Sequence, residues 1–384
     1  MLYVINAKLV LETGILFDAV LGIEDGKIAL YGKKKEIEIP ENAEIIDAKG
    51  LYVGPGFVDI HVHGGNGCMF PIDPEGAAKH FLSHGETTIL PVLYYNMSKG
   101  EYLEAIRRIK NLMENSYLGA VLKGFYMEGP YMNPDFGAMP KENKWRGEIR
   151  EEDYKEIVDS VGKLARVWSV APEREGLEQF MAYAKSVNPD TVFSVGHSMA
   201  TPEEIRKLKK YGIKLQTHCM DATGQQEAFI GTRGAGPDEY CMTDPDMYAE
   251  IICDSMGIHV NPDLIRMIVK AKGLEKVVLI TDSFVSDCES PDCFKHITDL
   301  VFDSVGGING SKLTMDVACR NIMTHTNCGI AQAFLLASRN PARVAGLESE
   351  VGTIDIGKRA NLVFVDDMFN VDTVILDGKI CQSV

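Results

Sequence analysis

A chain of 384 residues, 45% apolar and 24% charged, can bury a full core and exceeds one ordinary domain. Its formal net charge of −16 excludes nucleic acid and anionic membranes as partners, because a surface this acidic repels both. Lys8, Glu12 and Asp18 interrupt any leader-like stretch, no run nears the ~18–20 apolar residues that cross a bilayer, and the nine cysteines lack regular spacing, so a reduced, cytoplasmic protein is expected.

In chain order, residues 1–52 read as short strands at 2–5, 19–24, 27–31 and 44–47, with a turn at Glu24-Asp25-Gly26. From 57 onward the pattern changes. Apolar runs at 57–63, 87–93, 121–128, 165–170, 191–197, 214–218, 250–253 and 276–282 are each bounded by polar, Gly or Pro positions. Such continuous runs suit strands buried on both faces. Helical periodicity fills the gaps at 102–114 and 262–272, and Thr201-Pro202-Glu203-Glu204 reads as an N-cap with a first-turn proline and a capping-box glutamate. Beyond 352, short strands return at 360–365 and 373–380.

Eight strands alternating with helices predict a (β/α)8, TIM-like barrel over 53–349. The two chain ends, 1–52 and 350–384, are expected to pair into one small β-sandwich domain beside it. An open doubly wound sheet is the competing architecture. It calls for an early glycine-rich phosphate loop, and the sequence has none.

Metal-ligating residue types fall at the ends of these runs. His61 and His63 end the first, Glu128 the third, His197 the fifth, His218 the sixth and Asp282 the eighth. In a parallel barrel all of these ends open on one face, where barrel active sites form. Several imidazoles with carboxylates match zinc or a similar divalent ion. Alone, Glu128 before Gly129-Pro130, or Asp282 before Ser283, also reads as a cap, and His80, His84, His296 and His325 read as surface residues. Gly196-His197-Ser198 lacks a nucleophile elbow, and Cys219 reads as a small buried residue. A bound ion acidifies water to a pKa of ~7. Asp282 would take the water proton and return it to a leaving amine, which departs poorly unprotonated.

The motifs Pro55-Gly56-Phe57-Val58-Asp59-Ile60-His61-Val62-His63-Gly64, Met127-Glu128-Gly129-Pro130-Tyr131-Met132-Asn133-Pro134, Gly196-His197-Ser198, Thr217-His218, Ile280-Thr281-Asp282 and Gly310-Ser311-Lys312-Leu313-Thr314-Met315 resemble the amidohydrolase superfamily. Within it they are most similar to the N-acetylglucosamine-6-phosphate deacetylases. The closing Asn340-Pro341-Ala342 and the stretch from Gly352 to Leu362 extend the resemblance over nearly the whole chain.

The resemblance implies that Glu128, His197 and His218 bind one divalent ion, that His61 with His63 can hold a second, and that Asp282 is the acid/base. It also implies a homodimer in which His259 reaches a neighbour's substrate, an N-acetylated amino sugar that is phosphorylated in the family. Arg233 matches the phosphate arginine.

Two departures touch the substrate. The family's Thr-His-x-x-Asn-Ala is Thr217-His218-Cys219-Met220-Asp221-Ala222 here, and Met139 follows Gly137-Ala138 where the family often has His or Gln. Asp221 can only accept hydrogen bonds and repels a phosphate; turned aside, it would neutralise Arg233. An N-acyl amino acid hydrolase and a non-catalytic relative are the competing functions. A cyclic-amide hydrolase would carry a lysine on the fourth strand, and 165–170 has none.

Overall fold

The computed structural model describes residues 1–138, 140–227 and 229–383. Eight parallel strands follow one another in chain order: Phe57–Val62, Glu86–Tyr94, Phe125–Glu128, Ala165–Val170, Val192–Val195, Ile213–Gln216, Tyr248–Ile252 and Val277–Ile280. The eighth comes alongside the first, where the Asp282 N–H donates to the His61 carbonyl at 2.9 Å and the His63 N–H to the Ser283 carbonyl at 3.0 Å. The result is a nearly closed barrel.

Alternation along each strand explains the apolar runs. Leu90 and Val92 pack with Tyr126, Val167, Leu215, Ile252 and Ile280. Their neighbours Ile89 and Leu93 pack into a separate cluster with Phe125, Met127, Trp168, Ile251 and Leu279. Both faces are therefore dry, as a parallel sheet covered by helices requires. The capping box read from the sequence is present, and a second helix has a side-chain cap. Thr201 and Glu204 form the capping box of Pro202–Leu208, and Asn261 caps Pro262–Lys272.

The chain ends share one sheet. Its path runs Lys379–Ser383, Val371–Leu376, Leu362–Val365, Tyr52–Pro55, Leu2–Leu11, Gly14–Glu24 and Lys27–Lys33, and Glu44–Asp47 pairs with the first half of Leu2–Leu11. Val4, Leu9, Leu21 and Val53 from one end meet Leu362, Phe364 and Ile375 from the other in a core of their own. Only Gly56 separates this sheet from the first barrel strand.

Two expected strands take a different form. The segment 121–128 is strand only over Phe125–Glu128, because Ser116 accepts from the Leu118 N–H and winds Tyr117–Val121 into a 3-10 turn. The segment 373–380 is two antiparallel strands, not one. Asp377 and Gly378 turn it back with φ of 48° and 76°, the left-handed pair that a tight hairpin demands.

Candidate active site

The six residues expected at the strand ends converge. Glu128 Oε1 lies 2.7 Å from His197 Nε2 and 3.4 Å from His218 Nε2, and the two Nε2 atoms are 3.1 Å apart. Glu128 Oε2 lies 3.4 Å from His63 Nε2. Asp282 Oδ1 lies 3.0 Å from His63 Nε2 and 3.4 Å from His61 Nε2. All six are buried.

Backbone strain aims three of these side chains. His197, His218 and Asp282 have φ of 44°, 27° and 46°, a left-handed region that non-glycine residues rarely occupy. Each lies just past a strand end, so the strain is held by the ladder behind it. In the first strand, the pairing slips between Asp59 and Val62, the stretch that carries His61.

Electrostatics tie the group together. Burial opposes charge on His61, but Asp282, Glu250 and Glu128 outweigh it and raise the pKa to about 9. His218 is likewise raised, to about 10, with burial overcome by Glu128, Asp221 and Asp282. Burial wins at His197, which is lowered. Glu128 and Asp282 are held below the usual carboxylate range, since the surrounding histidines exceed the cost of burial.

The donor set fits a divalent ion. Tetrahedral ligands at Zn–N distances of ~2.0–2.1 Å stand roughly 3.3 Å apart. Glu128, His197 and His218 form one such cluster, and His61, His63 and Glu128 a second that shares the carboxylate. His61 Nε2 is buried and makes no hydrogen bond.

A pocket opens over the cluster. Asp221 and Ala222 line it, together with Tyr94, Tyr95, Asn96, Phe284, Ile308 and Asn309. Met139 lies outside the described residues. Arg233 does not line this pocket; its side chain is 76% exposed, and its guanidinium pairs with Glu239 Oε1 at 2.6 Å. Glu239, not Asp221, is thus its partner. His259 is buried, with Nδ1 3.2 Å from Asp254 Oδ2. Sequence reasoning passed over Tyr94, Tyr95, Phe284 and Asn309, which stand on loops or strand tips with no spacing signal. It also passed over Glu250, which lies beneath His61.

Comparison with known proteins assigns the chain to a family. Residues 52–381 match the model of the amidohydrolase family. An N-acetylgalactosamine-6-phosphate deacetylase of Escherichia coli O157:H7 is 31% identical, with 100% of each chain covered. An N-acetylglucosamine-6-phosphate deacetylase of Bacillus subtilis (strain 168) is 28% identical over 98% of this chain and 96% of that one. The crystal structure of N-acetylglucosamine-6-phosphate deacetylase from Thermotoga maritima superposes with a TM-score of 0.80 at 26% identity, covering 100% of both chains. The enzyme of that name from Pasteurella multocida shares the fold, with a TM-score of 0.84 at 23% identity and 99% of each chain covered. With the family model spanning most of its length and a relative 31% identical from end to end, the chain belongs to the amidohydrolase family.

Proposed function

We propose that this chain is a metal-dependent amide hydrolase that removes the acetyl group from an N-acetylated amino sugar. The observation that carries it is the buried carboxylate of Asp282, set 3.0 Å from His63 Nε2 at the floor of a pocket that also exposes Glu128, His197 and His218.

Glu128, His197 and His218 would hold one ion, and His61 with His63 a second; zinc is an ion that such imidazole and carboxylate ligands suit. Such an ion acidifies water and polarises the amide carbonyl. Asp282 is low in pKa and therefore ionised, ready to accept a proton from the attacking water. It then gives that proton to the amide nitrogen. The new C–O bond forms, the C–N bond breaks, and acetic acid and the amine leave, the acid's proton passing to the amine or to solvent to give acetate.

The far side of the pocket bears on the rest of the substrate. Among the described residues its lining has no lysine or arginine, while Asp221 faces in. An N-acyl amino acid would need a cation for its carboxylate, and a phosphosugar one for its phosphate. A neutral N-acetylhexosamine needs only hydrogen bonds, which Asp221, Asn96, Asn309 and the Ala222 backbone N–H can supply.

All nine cysteines are free, which suits a reducing compartment, and we take the cytoplasm as its location. Among the described residues no helix is long and apolar enough to cross a membrane. A homodimer is expected from the family resemblance, and a sizing measurement decides it.

The test is a screen of purified, zinc-loaded protein against N-acetylglucosamine and N-acetylgalactosamine, each with and without a 6-phosphate, and against N-acetyl amino acids. Release of acetate from an amino sugar is expected. Turnover confined to amino acids would overturn the proposal.

A further inference from the structure

A buried polar cluster lies under the histidines. Glu250 sits in the middle of the seventh barrel strand, between apolar neighbours, and is 0% exposed. A carboxylate buried this deeply is costly unless donors surround it. Oε2 has three within reach: His61 Nδ1 at 3.3 Å, the His218 backbone N–H at 3.2 Å and the Tyr126 hydroxyl at 3.3 Å. The cluster continues from the Tyr126 hydroxyl to Thr217 Oγ1 at 2.9 Å, and from there to Ser169 and Ser194, each at 2.6 Å.

The contact with His61 decides how that ring presents itself. To hold an ion the ring must give up its extra proton; the neutral imidazole then carries one N–H, and the partner of each nitrogen selects which. An acceptor at Nδ1 puts the proton there and leaves a lone pair on Nε2. That atom faces Glu128 Oε1 at 3.8 Å and Asp282 Oδ1 at 3.4 Å and has no hydrogen-bond partner. The contact with His218 acts on the backbone. His218 is strained at φ 27°, and its N–H is held by the same carboxylate oxygen. Its ring is oriented separately, with Nδ1 3.2 Å from the Asp221 carbonyl. Packing alone does not call for an acid here, since an apolar side chain of similar volume is often the cheaper filling.

We propose that Glu250 is a positioning residue of the metal centre: it orients His61 through Nδ1–H and fixes His218 through its backbone N–H, so that both rings offer Nε2 to an ion. This presupposes the metal-dependent hydrolysis proposed above.

Glu250→Gln keeps the shape and removes the charge, and Tyr126→Phe keeps the His61 contact while removing one donor to Glu250. Metal content by elemental analysis, affinity by chelator competition, the absorption spectrum of cobalt-loaded protein and thermal unfolding are measured for each. Glu250→Gln is expected to fold, to weaken binding of an ion by about 10–100-fold and to shift the cobalt spectrum. Tyr126→Phe is expected to bind metal as the wild type does. Metal binding by Glu250→Gln within about twofold of wild type would overturn the inference. Equal losses in both variants would also overturn it, because they would mark a general disturbance of the polar cluster. A wild-type protein that takes up no metal would instead overturn the proposed function itself.

Discussion

The two sides of the pocket are built differently. On the side of the candidate metal ligands, His61, His63, Glu128, His197, His218 and Asp282 are all buried at or just past strand ends, and each touches another of the set. On the substrate side, Asp221, Ala222 and Asn309 stand on connecting loops or the tip of a short hairpin, and Arg233 points into solvent against Glu239. Strand ends fix chemistry, and loops leave the choice of substrate open to change. The reaction class is therefore written in rigid parts of the chain and the substrate in adaptable ones.

Removing a ligand gives the largest effect and is the sharpest check of the rigid side. In His218→Ala, one of the three converging atoms is gone, and Glu128 and His197 alone cannot close a tetrahedral site. The ion of that cluster and turnover are both expected to be lost, read by elemental analysis and acetate release, with any metal that remains assigned to His61, His63 and Glu128, while far-ultraviolet circular dichroism stays unchanged. Asp282→Asn comes next. It should keep metal but lose roughly 10²–10⁴-fold in kcat, because an amide cannot accept the water proton. Near-native kcat would give the proton transfer to another group.

Gly137 joins the two sides, so its replacement tests how separate they are. It has φ 96°, and an added Cβ would come 2.1 Å from the Tyr95 hydroxyl and 2.7 Å from His197 Nδ1. Gly137→Ala must therefore displace the loop, Tyr95 or His197. A misplacement of about 1 Å near the reacting atoms can cost ~10²-fold. If the sides are independent, the loss falls on kcat/KM with metal content unchanged. A loss of metal would show that the loop also supports His197.

The same division explains what could be read in advance. The convergence of the six candidate residues was legible because they end apolar runs, and the barrel turns run ends into neighbours in space. Glu250 was not. A polar residue beside Ile251 and Ile252 looks like the start of a strand, yet the strand begins at Tyr248 and places Glu250 at its centre. Its role depends on His61, 189 positions away, and no local pattern carries that. The hairpin of Leu300–Phe302 and Ile308–Ser311 brings Ile308 and Asn309 to the pocket, but strands of three and four residues are too short to show a period. At the C-terminus the signal was present, since Asp377-Gly378 is a strong hairpin dipeptide flanked by apolar residues.

The smallest expected effect belongs to Asp221, and it is the one most able to break the comparison. Asp221 lines the pocket, and its charge is felt at His197, His218 and His259. Among the described residues no arginine or lysine faces it there, because Arg233 is engaged by Glu239 at 2.6 Å. A 6-phosphate placed beside Asp221 meets like charge, at about 1 kcal/mol per unit pair at ~4 Å in water. That corresponds to about fivefold in affinity. Asparagine at this position would remove the repulsion and add an N–H donor. With about 1.5–2 negative charges on the phosphate, Asp221→Asn is therefore expected to raise kcat/KM for N-acetylglucosamine 6-phosphate roughly 10–30-fold, through KM, and to leave the unphosphorylated sugar nearly unchanged. Salt should shrink the difference for the wild type, since Asp221 is only half-buried in an open pocket and charges in contact with solvent are screened over ~10 Å at 0.1 M. If the wild type already prefers the phosphosugar and Asp221→Asn gains nothing, a cation reaches the phosphate from elsewhere. Arg233 would then have to leave Glu239 on binding, and the loop side of the pocket would be shaped by its substrate.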